Sequence, residues 1–479
     1  MTNVDSVAAL NVDFAIMGAG LAGLTAATRA AELGLKVALL DQGSDDKYPC
    51  NSRFSGGILH LSFQNVQDPP AALQDAMRAA TYGYADNALT TVLAQESRRA
   101  VQWLQQQGAR FVRNGQINWQ QWVMAPPRPI SPGLDWNGRG PDVTLRVLLE
   151  RFRKHGGKVL LQTRVEDLWV QEGRCVGLKA RCQGQPLEIR ASSALIADGG
   201  FQSNLALLRT HIAPEPTGLL QRGAGVSKGD GMQLAASRLG AAVSDLTAFY
   251  GHLLSRDAFK NPLLWPYPQL DELACAGMVV NTRGQRVADE GMGGVYLANQ
   301  VAHRQDPLDC FVLFDQAIWD EQGTQSRIPA NPHLLRAGAT MLKADSIEAL
   351  AAQMGVPAAA LAGTVAHFND AVASGRCDEL SPPRSTSKHM GVALKTGPFY
   401  ALPMCVGITH TAGGLRIDSC ARVVREDGSP IEGLYAAGSA VGAIEGGPKA
   451  GYIGGLMKAL VFGLVAAESV AKTTERTIA

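Results

Sequence analysis

The sequence has no surplus of either charge: 44 Lys and Arg stand against 43 Asp and Glu, a formal net charge of +1 over 479 residues. That balance argues against a general nucleic-acid or acidic-membrane binder, which needs a basic excess. No two of the eight cysteines (Cys50, Cys175, Cys182, Cys275, Cys310, Cys377, Cys405 and Cys420) form a CxxC pair. Zinc knuckles, thioredoxin-type sites and haem attachment through CxxCH are therefore not indicated. Thiols scattered through a chain this long read as free in a reducing cytoplasm rather than as a disulfide framework. Long apolar runs are missing too, since Leu456 to Ala467 is interrupted by Lys458 and is too short to span a bilayer. Met1 to Asn11 carries Asp5 and no basic segment, so no secretory signal is read there. The expectation is a cytoplasmic protein with no membrane span and no nucleic-acid partner.

What is present points to a large packed core. Apolar residues make up 46% of the chain and charged residues 18%, which excludes wholesale disorder. At roughly 150 residues per domain the length allows about three domains or two large interleaved ones. Glycine is common, 52 of 479 residues, with no collagen period. In an apolar chain this indicates places where the backbone approaches something closely.

Val12 to Met17 is a short, mostly apolar run, as expected of a strand buried on both faces. Gly18-Ala19-Gly20-Leu21-Ala22-Gly23 follows at once, and Leu21, Leu24, Ala27, Ala30 and Leu33 then fall on one helix face. Gly34 ends that helix, and Lys36 to Leu40 reads as a second strand leading to Asp41. This is a βαβ unit with GxGxxG in its turn and an acid about 20 residues on, a dinucleotide-binding signature. Gly18 permits the tight turn, Gly20 lets backbone N–H groups approach a pyrophosphate, and Gly23 lets helix and strand pack closely. The helix N-terminus offers orphan N–H groups and a positive dipole end to the phosphates. Asp41 can accept hydrogen bonds from ribose hydroxyls. A glycine-rich helix start without a ligand is the bland alternative, and the strand–turn–helix–strand context outweighs it.

Further segments follow in order. They are Asn51-Ser52-Arg53-Phe54-Ser55-Gly56-Gly57, Gly138-Arg139-Gly140 before a predicted helix Val143 to His155, and a strand Lys158 to Gln162. A hairpin comes next, from Thr163 to Leu168 and on around Glu172-Gly173. Ala194 to Phe201, Thr409-His410-Thr411-Ala412-Gly413-Gly414, Gly433 to Gly438 and Gly451-Tyr452-Ile453-Gly454-Gly455 complete the set. In this order they resemble the fumarate reductase/succinate dehydrogenase flavoprotein family. That group includes soluble fumarate reductases, urocanate reductase, tricarballylate dehydrogenase and 3-ketosteroid dehydrogenases.

The resemblance implies an α/β fold, a Rossmann-like FAD-binding domain with an inserted α+β capping domain. The expected parts are 1–248 (first FAD-binding part), 249–404 (cap) and 405–479 (second FAD-binding part). It implies that Gly18, Gly20, Leu21, Ala22 and Gly23 hold the pyrophosphate, and that Asp41, with Gln42 beside it, holds the ribose. Val165 would meet the adenine, and Asn51, Ser52, Ser55, Gly56 and Gly57 would line the flavin. Gly438, Gly454 and Gly455 would close over the ribityl chain and ring. Asp198, Gly199, Ser439 and Leu456 complete the expected cofactor set, with Ser439 standing where the family usually has Glu. Covalent members carry a histidine in the segment occupied here by Asn51 to Gly57; none is present, so the FAD is expected to be non-covalent.

From about Phe249 the composition shifts to aromatics, prolines and histidines, as in Tyr250-Gly251-His252 and Trp265-Pro266-Tyr267-Pro268. A helical pattern runs from Gly229 through Leu239, and Val279 to Arg286 reads as a hairpin around Arg283-Gly284. Ser346 to Met354 and Ala359 to Ser374 read as helices, the second carrying Thr364 to Asn369, which resembles the family's cap helix. Pro126 to Pro132 is a proline-rich loop.

A flavin exchanges hydride with a C–C bond, so the protein must polarise a nearby carbonyl or carboxylate and move a proton. His410 matches the position that binds a substrate carboxylate in fumarate reductases, with a structural histidine as the alternative. His252 falls near a second such histidine. Two departures follow from the resemblance. Gly291 to Gly294 replace the segment with the family's proton-shuttle Arg after the Glu matching Glu290, and Tyr452 stands where a carboxylate-clamping Arg precedes the last Gly-Gly. A phenol cannot provide the bidentate guanidinium fork, so a four-carbon dicarboxylate is disfavoured and a ketone suits the site better.

The expected enzyme is an FAD-dependent dehydrogenase of a ketone or cyclic oxo-acid. Tyr452 polarises the carbonyl, Tyr250 accepts the α-proton, and His410 or Lys449 orients the substrate. Lys449 has an alternative as a solvated loop charge, and Arg53, Arg128 and Arg139 are further candidate anion partners. The expected partners are a small molecule with a carbonyl and optionally a carboxylate, and an external electron acceptor. A reductase or dehydrogenase of an unsaturated or polycarboxylic acid is the first alternative; a flavin-dependent hydroxylase, which shares the first βαβ unit, is the second.

Overall fold

Phe14, Ala15 and Ile16 are consecutive and all fully buried, as in a strand whose sheet is covered on both faces. In a computed structural model that describes residues 8–478, strand Ala8–Met17 pairs in parallel with Val37–Leu40 on one side and Gln185–Ile196 on the other. The helix between the first two strands, Leu21–Glu32, is capped by Gly20 and buries Leu21, Leu24, Ala27 and Ala30 of the stripe read from the sequence, whereas Leu33 falls just past its end and is exposed. Residues 1–7 and 479, which fall within the expected first and last segments, lie outside the described residues.

The first sheet runs in the order Arg422–Val424, Pro430–Ala436, Gln185–Ile196, Ala8–Met17, Val37–Leu40 and Lys158–Leu160. Its inner pairings are parallel. The hairpin expected around Glu172-Gly173 forms from Thr163–Gln171 and Arg174–Cys182, which extend Gln185–Ile196 as an antiparallel meander. The α/β architecture is the one expected, with the crevice at the carboxyl ends of the parallel strands as the natural ligand position.

The second sheet is built around one long strand, Phe399–Thr411. Its later half pairs with Phe249–Ser255 and with Leu219–Gln221, and its earlier half with Cys310–Asp315 and Leu342–Ala344. The transition expected at residue 404 therefore falls inside a continuous strand, which runs straight on to His410. Helices Ile347–Met354 and Ala358–Ser374 form where two helices were expected. The segment read as a hairpin differs from expectation. Met278–Asn281 is a strand but pairs with Cys310–Asp315, and only an isolated bridge joins Val280 to Arg286. The Asn281 side chain accepts from the Arg283 and Gln285 N–H groups and so tightens the turn at the expense of a second strand. The helix expected from Val143 begins earlier, at Gly140, with Pro141 in its first turn, where a missing N–H is harmless.

The C-terminal helix, Gly455–Ile478, packs against Leu21–Glu32 at Gly463, where a Cβ would lie 2.7 Å from Ala22 O. The GxGxxG turn is tighter still: Gly18 has φ +97°, and a Cβ on Gly23 would sit 1.8 Å from Gly18 O. Gly23→Ala is expected to push the helix away from the turn. Purified variant protein should melt at lower temperature and retain much less flavin than wild type, read by absorbance after gel filtration. Full flavin content at an unchanged melting temperature would contradict this.

Candidate functional site

The two sheets and the loops between them enclose a cavity of about 1550 Å³, well above the roughly 300–1,000 Å³ of an ordinary small-molecule site. It is large enough for a dinucleotide and a second ligand together. Its walls include Gly18, Gly20, Leu21, Ala22, Asp41, Gln42, Asn51, Ser52, Ser55, Gly56, Gly57, Val165, Asp198, Gly199, Gly438, Ser439, Gly455 and Leu456. Gly23 and Gly454 stand behind that surface and shape the backbone: Gly454 has φ +127°, and a Cβ there would be 2.3 Å from His60 O.

The cradle is braced by its own side chains. Ser52 Oγ accepts from Leu21 N (3.0 Å), and Asp41 accepts from Ala19 N (2.9 Å) and Gly43 N (2.8 Å). Asn51 ties the long strand and the loop after Leu219–Gln221 to this wall, donating to Thr409 O and accepting from Ala224 N. Burial raises the Asp41 carboxyl despite those two N–H donors. It raises Asp198 to about 7, against the lowering effect of the Gly231 N–H and of its own backbone N–H.

At the other end of the cavity four expected residues come together. The Tyr250 and Tyr452 rings stack with centroids 3.9 Å apart, His252 meets Tyr250 edge-on at 4.9 Å, and His410 lies 5.3 Å from Tyr250. Tyr250 and His410 are cross-strand neighbours in the second sheet, which explains how residues 160 positions apart in sequence meet. His252 is held by Asp271, whose Oδ2 lies 2.5 Å from Nδ1 and whose Oδ1 accepts from Leu253 N. The Nε2 atom of His252 is buried with no hydrogen-bond partner among the described residues. Burial lowers the His252 pKa although Asp271 opposes it. Burial likewise pushes both phenols, Tyr250 and Tyr452, well above their ordinary values.

Sequence reading missed the groups behind this cluster. Glu445 is 1% exposed and Lys458 0%, with Lys458 Nζ 2.7 Å from Glu445 Oε2 and His410 Nε2 3.5 Å from the same oxygen. Burial would raise the Glu445 carboxyl, but Lys458 and His410 hold it well below the usual carboxylate range. The only sequence signal was a lysine inside an otherwise apolar helix. His60 was also missed; it lies against Tyr452 with centroids 5.9 Å apart, and burial lowers it to about 4.

Other candidates fall elsewhere. Lys449 is exposed at the cavity rim, over the Tyr296 ring. Arg53 is buried against Asp142 and Arg139 pairs with Asp135, whereas Arg128 faces the cavity without a carboxylate. Glu290 is not on the cavity wall; it is buried between Arg286 and Arg384.

A parallel nucleotide-binding sheet, a GxGxxG cradle and an adjoining polar aromatic chamber define a flavoprotein of the FAD-binding class. Residues 13–451 match the FAD binding domain family, and the chain belongs to that family. It is 32% identical over 372 residues to a 3-oxosteroid 1-dehydrogenase of Mycolicibacterium smegmatis, a match covering 70% of this chain and 62% of the relative's length. It is 25% identical over 485 residues to a fumarate reductase (cytochrome) of Shewanella frigidimarina, covering 97% of this chain and 78% of that one. The fold is shared with a 3-ketosteroid Δ4-(5α)-dehydrogenase from Rhodococcus jostii RHA1, with a TM-score of 0.72, 22% identity and 98% of each chain covered. No helix among the described residues is long and apolar enough to cross a membrane.

Asp198 gives a test of the cradle without cofactor. The folded protein keeps its proton up to about pH 7, while the unfolded chain releases it near the ordinary value of 3.8. Between those values the folded state binds more protons, so its stability falls as pH rises, by at most about 1.4 kcal/mol per pH unit. Flavin-free Asp198→Asn is expected to lack this component: its melting temperature should gain on wild type from pH 4 to 7 and level off above. Parallel profiles would contradict it.

Proposed function

We propose that the protein is an FAD-dependent oxidoreductase that dehydrogenates a ketone or cyclic oxo-acid at the C–C bond beside its carbonyl. The observation that carries this reading is the cluster of Tyr250, Tyr452, His252 and His410 in the cavity that the GxGxxG cradle opens into. The 3-oxosteroid 1-dehydrogenase and fumarate reductase relatives support it. FAD would be held non-covalently, its pyrophosphate at Gly18 to Gly23, its ribose at Asp41 and its adenine at Val165. Asn51 to Gly57, Gly438 and Gly455 would hold the flavin end. When bound, FAD supplies the two-electron acceptor for the substrate's hydride.

The protein's own groups divide the remaining work. Burial keeps the Tyr250 and Tyr452 phenols protonated, so both serve as hydrogen-bond donors. Tyr452 is placed to polarise the carbonyl and stabilise the negative charge that grows on its oxygen as the α-proton leaves. The proton-accepting role expected of Tyr250 passes, on this reading, to His252: Asp271 fixes its ring, burial keeps it neutral, and its Nε2 is free. His410, backed by Glu445, orients the substrate. Lys449 at the rim is a secondary contact. Residues 249–404 act as the cap over this chamber, electrons leave to an external acceptor, and eight free thiols suit a cytoplasmic location.

Acid precipitation is expected to release all the yellow colour as FAD into the supernatant; colour kept in the pellet would contradict non-covalent binding. Tyr452→Phe should lower kcat by about 10²–10³-fold with flavin still bound. His252→Asn should lower it by about 10²–10⁴-fold. A base must be unprotonated and burial lowers the His252 pKa, so the acid limb of the wild-type kcat/KM profile should lie below pH 6.5. Unchanged turnover in either variant would remove that residue from the mechanism.

A further inference from the structure

We propose that Arg128, Arg222 and Arg327 form a carboxylate-binding subsite in the cavity, so that the substrate is an oxo-acid bound at both ends. The proposal rests on the reading above that this cavity takes a ketone.

Arg128 is 6% exposed and Arg222 7%. Guanidiniums buried this deeply are ordinarily paired, and this chain follows the rule elsewhere: Arg53 has Asp142, and Arg286 and Arg384 share Glu290. Among the described residues, none of Arg128, Arg222 and Arg327 belongs to an ion pair. Their partners are all uncharged. Arg128 donates to Phe54 O and Gly133 O, Arg222 to Pro266 O and Thr409 Oγ1, and Arg327 to Arg128 O. The Arg128 Nε is buried with no partner.

Two of the three, Arg222 and Arg128, meet over one aromatic ring. The Tyr267 centroid lies 4.8 Å from Arg222 Cζ and 5.1 Å from Arg128 Cζ. A ring face attracts a cation without neutralising it, so the positive charge stays available. The surroundings register that charge: burial raises the Tyr267 phenol, but Arg222, Arg128 and Arg327 together bring it below its ordinary value. Arg222 and Arg327 also disfavour the charge on Arg128, a repulsion that an arriving carboxylate would relieve.

All three guanidiniums and Tyr267 line the same cavity as Tyr250, His252 and Tyr452. The link to the reacting end is short: Arg222 Nη1 reaches Thr409 Oγ1 at 2.9 Å, and His410 is the next residue. A planar guanidinium fork matches a carboxylate bidentately. A molecule with its ketone at Tyr452 and its carboxylate at the arginines would satisfy both sets of unpartnered groups. The guanidinium absent beside the last Gly-Gly is thus made up for elsewhere, by residues from three separate segments.

The test is a titration of the bound flavin's absorbance with 4-oxocyclohexanecarboxylate and with cyclohexanone. The carboxylate probe is expected to bind at least tenfold more tightly than cyclohexanone, and Arg222→Gln and Arg327→Gln should each reduce that preference by tenfold or more. Arg139→Gln, whose guanidinium is taken by Asp135, should retain it. If Arg222→Gln loses its flavin, the Arg327→Gln loop variant decides. No preference in the wild type, or an undiminished preference in Arg327→Gln, would overturn the subsite. So would inorganic phosphate displacing the probe at equal concentration, which would reassign the arginines to a phosphate group. Tight binding of the oxo-acid with no flavin reduction would instead overturn the dehydrogenase reading and leave the subsite standing.

Discussion

The Glu445 carboxylate is gripped by Lys458 from the C-terminal helix, accepts from Ile453 N and Gly454 N at 3.2 Å, and lies beside His410 on the long strand. A buried carboxylate persists only when it is paired and hydrogen-bonded, so these contacts must form together. Their effect is to fix the loop that carries Tyr452 against the strand that carries His410. The stacking of Tyr452 on Tyr250, and hence the shape of the reacting end, depends on that one anion being satisfied.

From this constraint follows a division of charge along the cavity. The reacting end holds neutral donors and acceptors: two phenols raised by burial, and His252 and His60 lowered by it. Two of the cationic arginines, Arg222 and Arg128, lie over the Tyr267 ring, and Arg222 reaches back to Thr409 beside His410. On the proposed reading, neutral groups at the reacting end polarise a carbonyl and take a proton without first paying the desolvation of a charge, and the arginines attract the substrate's carboxylate.

Local features of the fold and site were legible in the sequence. The GxGxxG turn, its helix stripe and Asp41 lie within thirty residues, and their spacing alone encodes the tight approach that Gly18 and Gly23 show. The cluster of Tyr250, His252, His410 and Tyr452 was reached through resemblance, since strand pairing brings Tyr250 and His252 to His410 and the Glu445 contacts bring the loop of Tyr452 to them. Long-range ionic matches left no pattern. Glu445 and Lys458 are thirteen residues apart on either side of a loop, and Arg222 meets Tyr267 across the fold. Lys449 misled for the opposite reason. It is three residues from Tyr452, but Ala450 between them has φ +49°, and the backbone turns the lysine out to the rim. Nor does sequence convey burial, which raises the Tyr250 phenol and lowers the His252 imidazole.

The central claim, that this chamber withdraws two hydrogens from beside a carbonyl, is tested most directly by mixing the oxidised holoprotein with a saturated cyclic ketone acid in the absence of oxygen. The account predicts that the yellow flavin bleaches as the ketone is desaturated. Contradiction would be a flavin that stays oxidised with the ketone yet, once chemically reduced, is promptly reoxidised by an unsaturated dicarboxylate such as fumarate.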